Sequence, residues 1–349
     1  MAYQLTRKLR ELTPYAPIQG EFVVRLDANE SFISLPDDIR AEIANAAASI
    51  AFNRYPDPYA KELCGAFAKF YGINSELVTA FNGSDELICL IMNSFFEKGD
   101  RVLTLAPDFS MYKFYISLAE LECVTYSKSD NLTVNVDDLI AYINENNIAG
   151  VIFSNPCNPA SLGLGRDEVL HLVSSVNCLV ILDEAYMDFW DCSIMDRVEE
   201  FPHLVILRTC SKAIGLAAAR LGFAVSGATN TNGLRAAKSP YNVSTLDQVA
   251  GTVVLRHKDY LMDCIEKIKA SRECLYKSIL ELKERKAEIL CVYAPVTNFV
   301  FFKTTRNKEI FEKLLSKGIA IRYMGEYLRI SAGSETENAA VLAALEEIL

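Results

Sequence analysis

In the stretch LVILRTCSKAIGLAAARLGFAV, Leu204 to Val225, an apolar run ends at Arg208 and polar residues follow at once: Thr209, Cys210, Ser211 and Lys212. Beyond the lysine, Arg220 stands alone in an otherwise apolar segment. Three further polar clusters adjoin apolar runs: FNGSDE (Phe81 to Glu86), SNPCNP (Ser154 to Pro159) and DEAY (Asp183 to Tyr186). The first opens a helix-like segment, and its chemistry is readable on its own. Amides exposed at a helix N-terminus, a glycine at Gly83 allowing close approach and the Ser84 hydroxyl make an anion site. The same residues suit an ordinary cap, with Ser84 capping and Asp85 and Glu86 complementing the helix dipole. In open α/β sheets ligands bind beyond the carboxyl ends of strands, so four such clusters at strand and helix junctions point to a ligand site.

The elements that must carry these clusters alternate. DRVLTLAP, AGVIFSNP, NCLVILDEAY, HLVILRT and RLGFAVS are apolar, β-branched runs of strand length, and ELICLIMNSFFE has helical apolar spacing. Runs without polar alternation suit strands covered by helices on both faces, hence an α/β fold with a mainly parallel sheet. After Pro240 the pattern changes. A long charged amphipathic stretch from Leu246 to about Lys286 precedes NFVFFKT, GIAIRYM and EYLRISAG, which read as a smaller α+β unit. The expected organisation is an N-terminal arm contributing to the small domain (1–30), a large ligand-binding domain (31–240) and a small C-terminal domain (241–349).

Composition excludes several classes. A net charge of −10 over 349 residues disfavours nucleic acid or an anionic membrane as the main partner. There is no apolar run long enough to span a bilayer, and MAYQLTRKLRELTPYAP lacks the apolar stretch of a secretory signal. Ten cysteines without metal-type spacing then read as reduced thiols in a cytoplasmic protein. The three histidines lie far apart, and no metal site is expected.

As a set, NGSDE, NPCNP, DEAY and TCSKAIGLAAARLG resemble the fold-type I pyridoxal-phosphate aminotransferases. LDANES, RYPDPY, PYNVS and LRISAG narrow the resemblance to the histidinol-phosphate aminotransferase family, over nearly the whole chain from about Tyr15. The resemblance implies a role for each residue. Lys212 forms the Schiff base with the aldehyde of pyridoxal 5'-phosphate, and its freed amine serves as general base and acid. Asp183 pairs with the pyridine nitrogen and keeps it protonated, so that the ring acts as an electron sink. Tyr186 and Asn158 hydrogen-bond the phenolic oxygen, and Phe109 stacks on the ring. Arg220, Ser211 and the Gly83, Ser84 and Asp85 turn bind the phosphate. Tyr55 reaches the cofactor phosphate of a neighbouring subunit, which implies a homodimer. Tyr15, Asn158, Arg322 and Arg329 would meet the substrate. Arg329 resembles the arginine that holds an α-carboxylate, or the substrate phosphate where there is no carboxylate.

The implied activity is transfer of an amino group from histidinol phosphate to 2-oxoglutarate in histidine biosynthesis. The motif set is shared with threonine-phosphate decarboxylases and with broader aromatic amino-acid aminotransferases. Non-catalytic regulators carrying this fold have an N-terminal DNA-binding domain, and the motifs here begin too early for one. One departure stands out. The usual threonine-glycine after NPxNP is replaced by Ala160 and Ser161, with Gly163 following.

Overall fold

Strands form here where both faces of a β-branched run find apolar cover. The computed structural model describes residues 3–10, 12–14 and 18–349. In chain order the strands are β1 (Val24–Arg25), β2 (Val78–Asn82), β3 (Arg101–Ala106), β4 (Glu122–Ser127), β5 (Gly150–Ser154), β6 (Leu179–Asp183), β7 (Leu204–Thr209), β8 (Leu221–Ser226), β9 (Ile289–Tyr293), β10 (Phe299–Thr304), β11 (Ile319–Ala320), β12 (Arg322–Met324) and β13 (Tyr327–Ser331).

A seven-stranded sheet has the order β2-β8-β7-β6-β5-β3-β4. From β7 through β4 every pairing is parallel, and β8 alone runs antiparallel to both its neighbours. The α/β class and the mainly parallel sheet are therefore as the sequence implied. Alternation along the strands explains the apolar runs. On β7, Leu204 and Ile206 enter the core on one face, and Val205 and Leu207 enter the core on the other. On β6, Val180 and Leu182 face one way and Ile181 the other. Each such fully buried side chain contributes about 1.5–3 kcal/mol of transfer free energy.

The smaller unit has an antiparallel sheet of order β12-β13-β10-β9, and β1 pairs in parallel with β11. Val24 and Leu26 belong to its core, so the chain enters through this unit before building the large sheet. The charged stretch after Leu246 is two helices, Thr245–Arg256 and Lys258–Arg285, which meet at His257. Val253, Val254, Leu255 and Leu261 lie in the core of the large sheet, whereas Leu275, Ile279 and Leu282 lie in that of the small one. The helix Lys258–Arg285 therefore contributes to both cores. No helix among the described residues is long and apolar enough to cross a membrane.

The parallel register brings the functional strand ends to one edge. Ser154 at the end of β5 is directly beside Asp183 at the end of β6. The end of β7 leads into Lys212, and that of β3 into Asp108 and Phe109.

Candidate active site

Beyond this edge lies a cavity of about 280 Å³, walled by both units. Asp183 lines it and is buried, with one in twenty-five of its surface exposed (4%). Its Oδ2 accepts a hydrogen bond from the Tyr112 hydroxyl at 2.7 Å, and its Oδ1 accepts from the Ala185 amide at 3.0 Å. Burial, aided by the nearby Asp108, raises its pKa to about 6, and the two hydrogen bonds oppose that rise. Phe109 lines the same space, its ring edge-on to Tyr112 with centroids 5.5 Å apart.

At one end of the cavity the helix Gly83–Ser94 begins without a loop. Asn82 still pairs with Leu221 as the last residue of β2, and Gly83, at φ +81°, turns the chain straight from strand into helix. Ser84 is therefore inside the first turn and does not cap it, contrary to the capping alternative raised from the sequence. The N-cap is Asn82, whose side chain makes no capping bond. Glu86 Oε2 instead accepts from the Asn82 amide at 2.6 Å, and Arg220 lies beside the Gly83 turn. Arg220 Nη1 donates to Ser211 Oγ at 3.3 Å, and Nη2 donates to Asp85 Oδ2 at 3.4 Å. A Cβ on Gly83 would sit 2.8 Å from Arg220 Nη2. Behind the turn, a Cβ on Gly222 would lie 2.5 Å from the Gly83 carbonyl carbon and 2.6 Å from the Ser84 nitrogen. Ser84, Asp85, Ser211 and Arg220 all line the cavity.

Lys212 reaches across it and donates from Nζ to the Ala28 carbonyl oxygen at 2.9 Å. The next residue, Asn29, is buried and left-handed at φ 56°. Its Nδ2 donates to the Tyr186 hydroxyl oxygen at 2.9 Å, and its amide donates to Ser331 Oγ at 2.9 Å. The LDANES segment thereby couples the DEAY turn to β13.

The two arginines of the small sheet, Arg322 and Arg329, also line the cavity. Arg329 on β13 is buried. Its Nη2 donates to the Asp27 carbonyl oxygen at 2.8 Å, its Nη1 donates to Asn158 Oδ1, and its guanidinium lies 5.1 Å from the centre of the Phe299 ring. Arg322 is its direct cross-strand partner on β12 and lines the same cavity. With Oδ1 engaged by Arg329, Asn158 keeps Nδ2 as its donor. The Ala160–Ser161 departure leaves this loop well tied. Ser161 adopts φ 62°, its hydroxyl pairs with that of Thr297, and its amide donates to the Cys157 carbonyl oxygen at 2.8 Å.

Two residues from the sequence reading stand apart. Tyr55 is not in the cavity of its own chain; it is 79% exposed and stacked on Tyr241 with centroids 4.4 Å apart. Tyr15 lies outside the described residues. Conversely, Tyr112, Asp108, Asn29 and Met324 line the cavity without having been singled out. Tyr112 could have been flagged, because it is one helical turn beyond Phe109 in PDFSMY. Asn29 lies inside the LDANES motif.

Comparison with known proteins adds four findings. The sequence model of the family described as Aminotransferase class I and II matches residues 22–345. A histidinol-phosphate aminotransferase of Clostridium novyi (strain NT) is 36% identical over 348 residues, covering 98% of this chain and 96% of the relative. Among solved structures, histidinol-phosphate aminotransferase from Sinorhizobium meliloti in complex with pyridoxal-5'-phosphate superposes with a TM-score of 0.88 at 24% identity, covering 99% of this chain and 97% of the other. L-threonine-O-3-phosphate decarboxylase from Porphyromonas gingivalis does so with a TM-score of 0.80 at 21% identity, covering 93% of this chain and 99% of the other.

Proposed function

Because the chain belongs to the class I and II aminotransferase family, we propose that it transfers the amino group of histidinol phosphate to 2-oxoglutarate, with pyridoxal 5'-phosphate as cofactor. The observation that carries this reading is that Ser211 and Arg220, the arginine pair Arg322 and Arg329, and both Lys212 and Asp183 line one cavity, giving it two groups of anion-binding side chains. One group is the uncapped helix start with Ser211 and Arg220; the other is the Arg322 and Arg329 pair.

Pyridoxal phosphate fits the residues present. Its phosphate suits the first-turn amides, the Ser211 hydroxyl and the Arg220 fork, in the space that a side chain at Gly83 would invade. A buried carboxylate is a suitable partner for a ring nitrogen, and Phe109 offers an aromatic plate. When bound, the cofactor supplies an electron-withdrawing ring.

The chain's own groups do the rest. Lys212 would be the covalent anchor, and once freed its amine would accept the proton from the substrate's amine-bearing carbon and hand it on to the far side of the substrate nitrogen, two atoms away. Asp183 would hold the proton at the ring nitrogen. Tyr186, whose oxygen accepts from Asn29, would have its hydroxyl proton free to donate to the cofactor's phenolic oxygen, and Asn158 Nδ2 would be a second donor there. Arg329 and Arg322 bind the substrate's anionic group and so orient the bond to be broken. Tyr55 would serve the neighbouring subunit of a homodimer, consistent with its exposure beside Tyr241. We place the enzyme in the cytoplasm.

The test is a substrate panel with the loaded enzyme: histidinol phosphate, threonine phosphate and an aromatic amino acid, each with 2-oxoglutarate. Glutamate produced fastest from histidinol phosphate is expected. Carbon dioxide released from threonine phosphate without glutamate would instead make this a lyase.

A further inference from the structure

Asp183 is held from both sides by groups of the chain itself. Tyr112 has no exposed surface, and its hydroxyl is 2.7 Å from Oδ2; the Ala185 amide is 3.0 Å from Oδ1. Tyr112 is also the edge-on neighbour of Phe109, with centroids 5.5 Å apart and rings at 82°. One side chain therefore touches both the carboxylate and the aromatic plate. The tyrosine is on the helix Met111–Leu118 and the aspartate ends β6, so the contact links two elements that are distant in sequence.

We propose that Tyr112 is a positioning residue that aims the Asp183 carboxylate and weakens its hold on a proton, so that the shared proton rests on the cofactor's ring nitrogen. This rests on the reading of Asp183 as the partner of that nitrogen. The reasoning is one of competing terms. Burial and the nearby Asp108 favour a protonated, neutral Asp183. A neutral carboxyl could not hold the ring as a cation. Hydrogen bonds donated to the carboxylate favour its charged form. Tyr112 can donate at every physiological pH, because burial and the adjoining carboxylates push its own phenol well above the ordinary range. Its fixed geometry also leaves the carboxylate one orientation relative to Phe109.

Tyr112→Phe keeps the ring and removes the donor. In the cofactor-free full-length protein, carbon-13 NMR of labelled aspartate carboxyls, with Asp183 assigned from Asp183→Asn, should show Asp183 titrating at least about one pH unit higher in the variant, a tenfold change in proton affinity. In the loaded enzyme the nitrogen-15 signal of labelled pyridoxal phosphate should move toward the unprotonated position. The value of kcat should fall about tenfold or more with little change in KM. If Tyr112→Phe does not fold, 3-fluorotyrosine at position 112 supplies a stronger donor and should move the Asp183 titration downward. An unchanged Asp183 titration and ring-nitrogen signal in the folded variant, or an unmoved titration with fluorotyrosine, would overturn the role of Tyr112. A ring nitrogen that stays protonated in Asp183→Asn itself would instead overturn the underlying reading of Asp183.

Discussion

Arg322 and Arg329 stand directly opposite each other on the antiparallel strands β12 and β13, so both side chains leave the sheet on one face. Like charges placed so closely repel, and the cavity between them and Lys212 is where an anion would relieve the repulsion. Arg329 is the better held, through Asn158 and the Asp27 carbonyl, and it should orient substrate as well as bind it. Arg329→Ala should lower kcat/KM by about a hundredfold or more, and Arg329→Lys should recover little, since an ammonium lacks the planar fork. Arg322→Ala should raise KM for phosphorylated substrates more than for simple amino acids. Equal losses in steady-state kinetics with both classes would remove Arg322 from a phosphate site.

Lys212 donates to a backbone carbonyl oxygen, and no ion pair to its amine is found among the described residues. Lys212→Ala should abolish turnover while leaving the phosphate-binding groups in place. Borohydride treatment followed by denaturation should leave the wild-type chain, and not the variant, carrying the cofactor mass. A borohydride-fixed cofactor on the variant would assign the anchor to another residue.

Much of this site was legible because it is built from strand ends. An apolar run that stops at a polar residue marks both the strand and the residue its end presents, as with Asp183 and Lys212. The facing of Arg322 and Arg329 was within reach for the same reason, as adjacent short strands of one unit. Tyr112 was not. A tyrosine among apolar helical residues reads as core, and only the sheet brings it to an aspartate 71 positions away. Ser84 was misjudged as a possible cap because serine before a helix normally follows a loop, whereas Gly83 lets β2 become helix with no loop at all. The break at His257 was missed because both helices it joins continue the same charged, amphipathic pattern.

Gly222 supports the phosphate end from behind. A methyl group there would meet backbone atoms at 2.5 and 2.6 Å, and backbone cannot swing away as a side-chain tip can. Gly222→Ala should therefore displace the start of the helix Gly83–Ser94, costing about 1–3 kcal/mol of stability and weakening cofactor binding by about tenfold or more through lost amide contacts. Fluorescence titration of cofactor into the stripped variant checks this. Wild-type affinity in a folded Gly222→Ala protein would mean that the first-turn amides do not hold the phosphate.

Asp183 links the chemistry to stability with a definite sign. Its carboxyl is raised from the ordinary 3.8 to about 6 in the folded, cofactor-free chain. Between those values the folded state holds a proton that the unfolded state has released. Stability from this group is thus fully present below about pH 4 and declines as pH rises through about 6, after which it is flat. A rise of about two units corresponds to about 3 kcal/mol lost by pH 7. Asp183→Asn keeps the shape and cannot ionise. The cofactor-free variant should therefore gain on the wild type as pH rises from 4 to 7, ending about 1–3 kcal/mol more stable. Loaded with cofactor, the order should invert, because the carboxylate then faces a protonated nitrogen and the amide does not. The same variant should lose about a hundredfold in kcat, roughly 2.7 kcal/mol of barrier. Urea unfolding of both proteins at pH 4, 5, 6 and 7, with and without pyridoxal phosphate, is the measurement. A difference that stays constant across this range would mean that Asp183 ionises normally and that its burial carries no electrostatic cost.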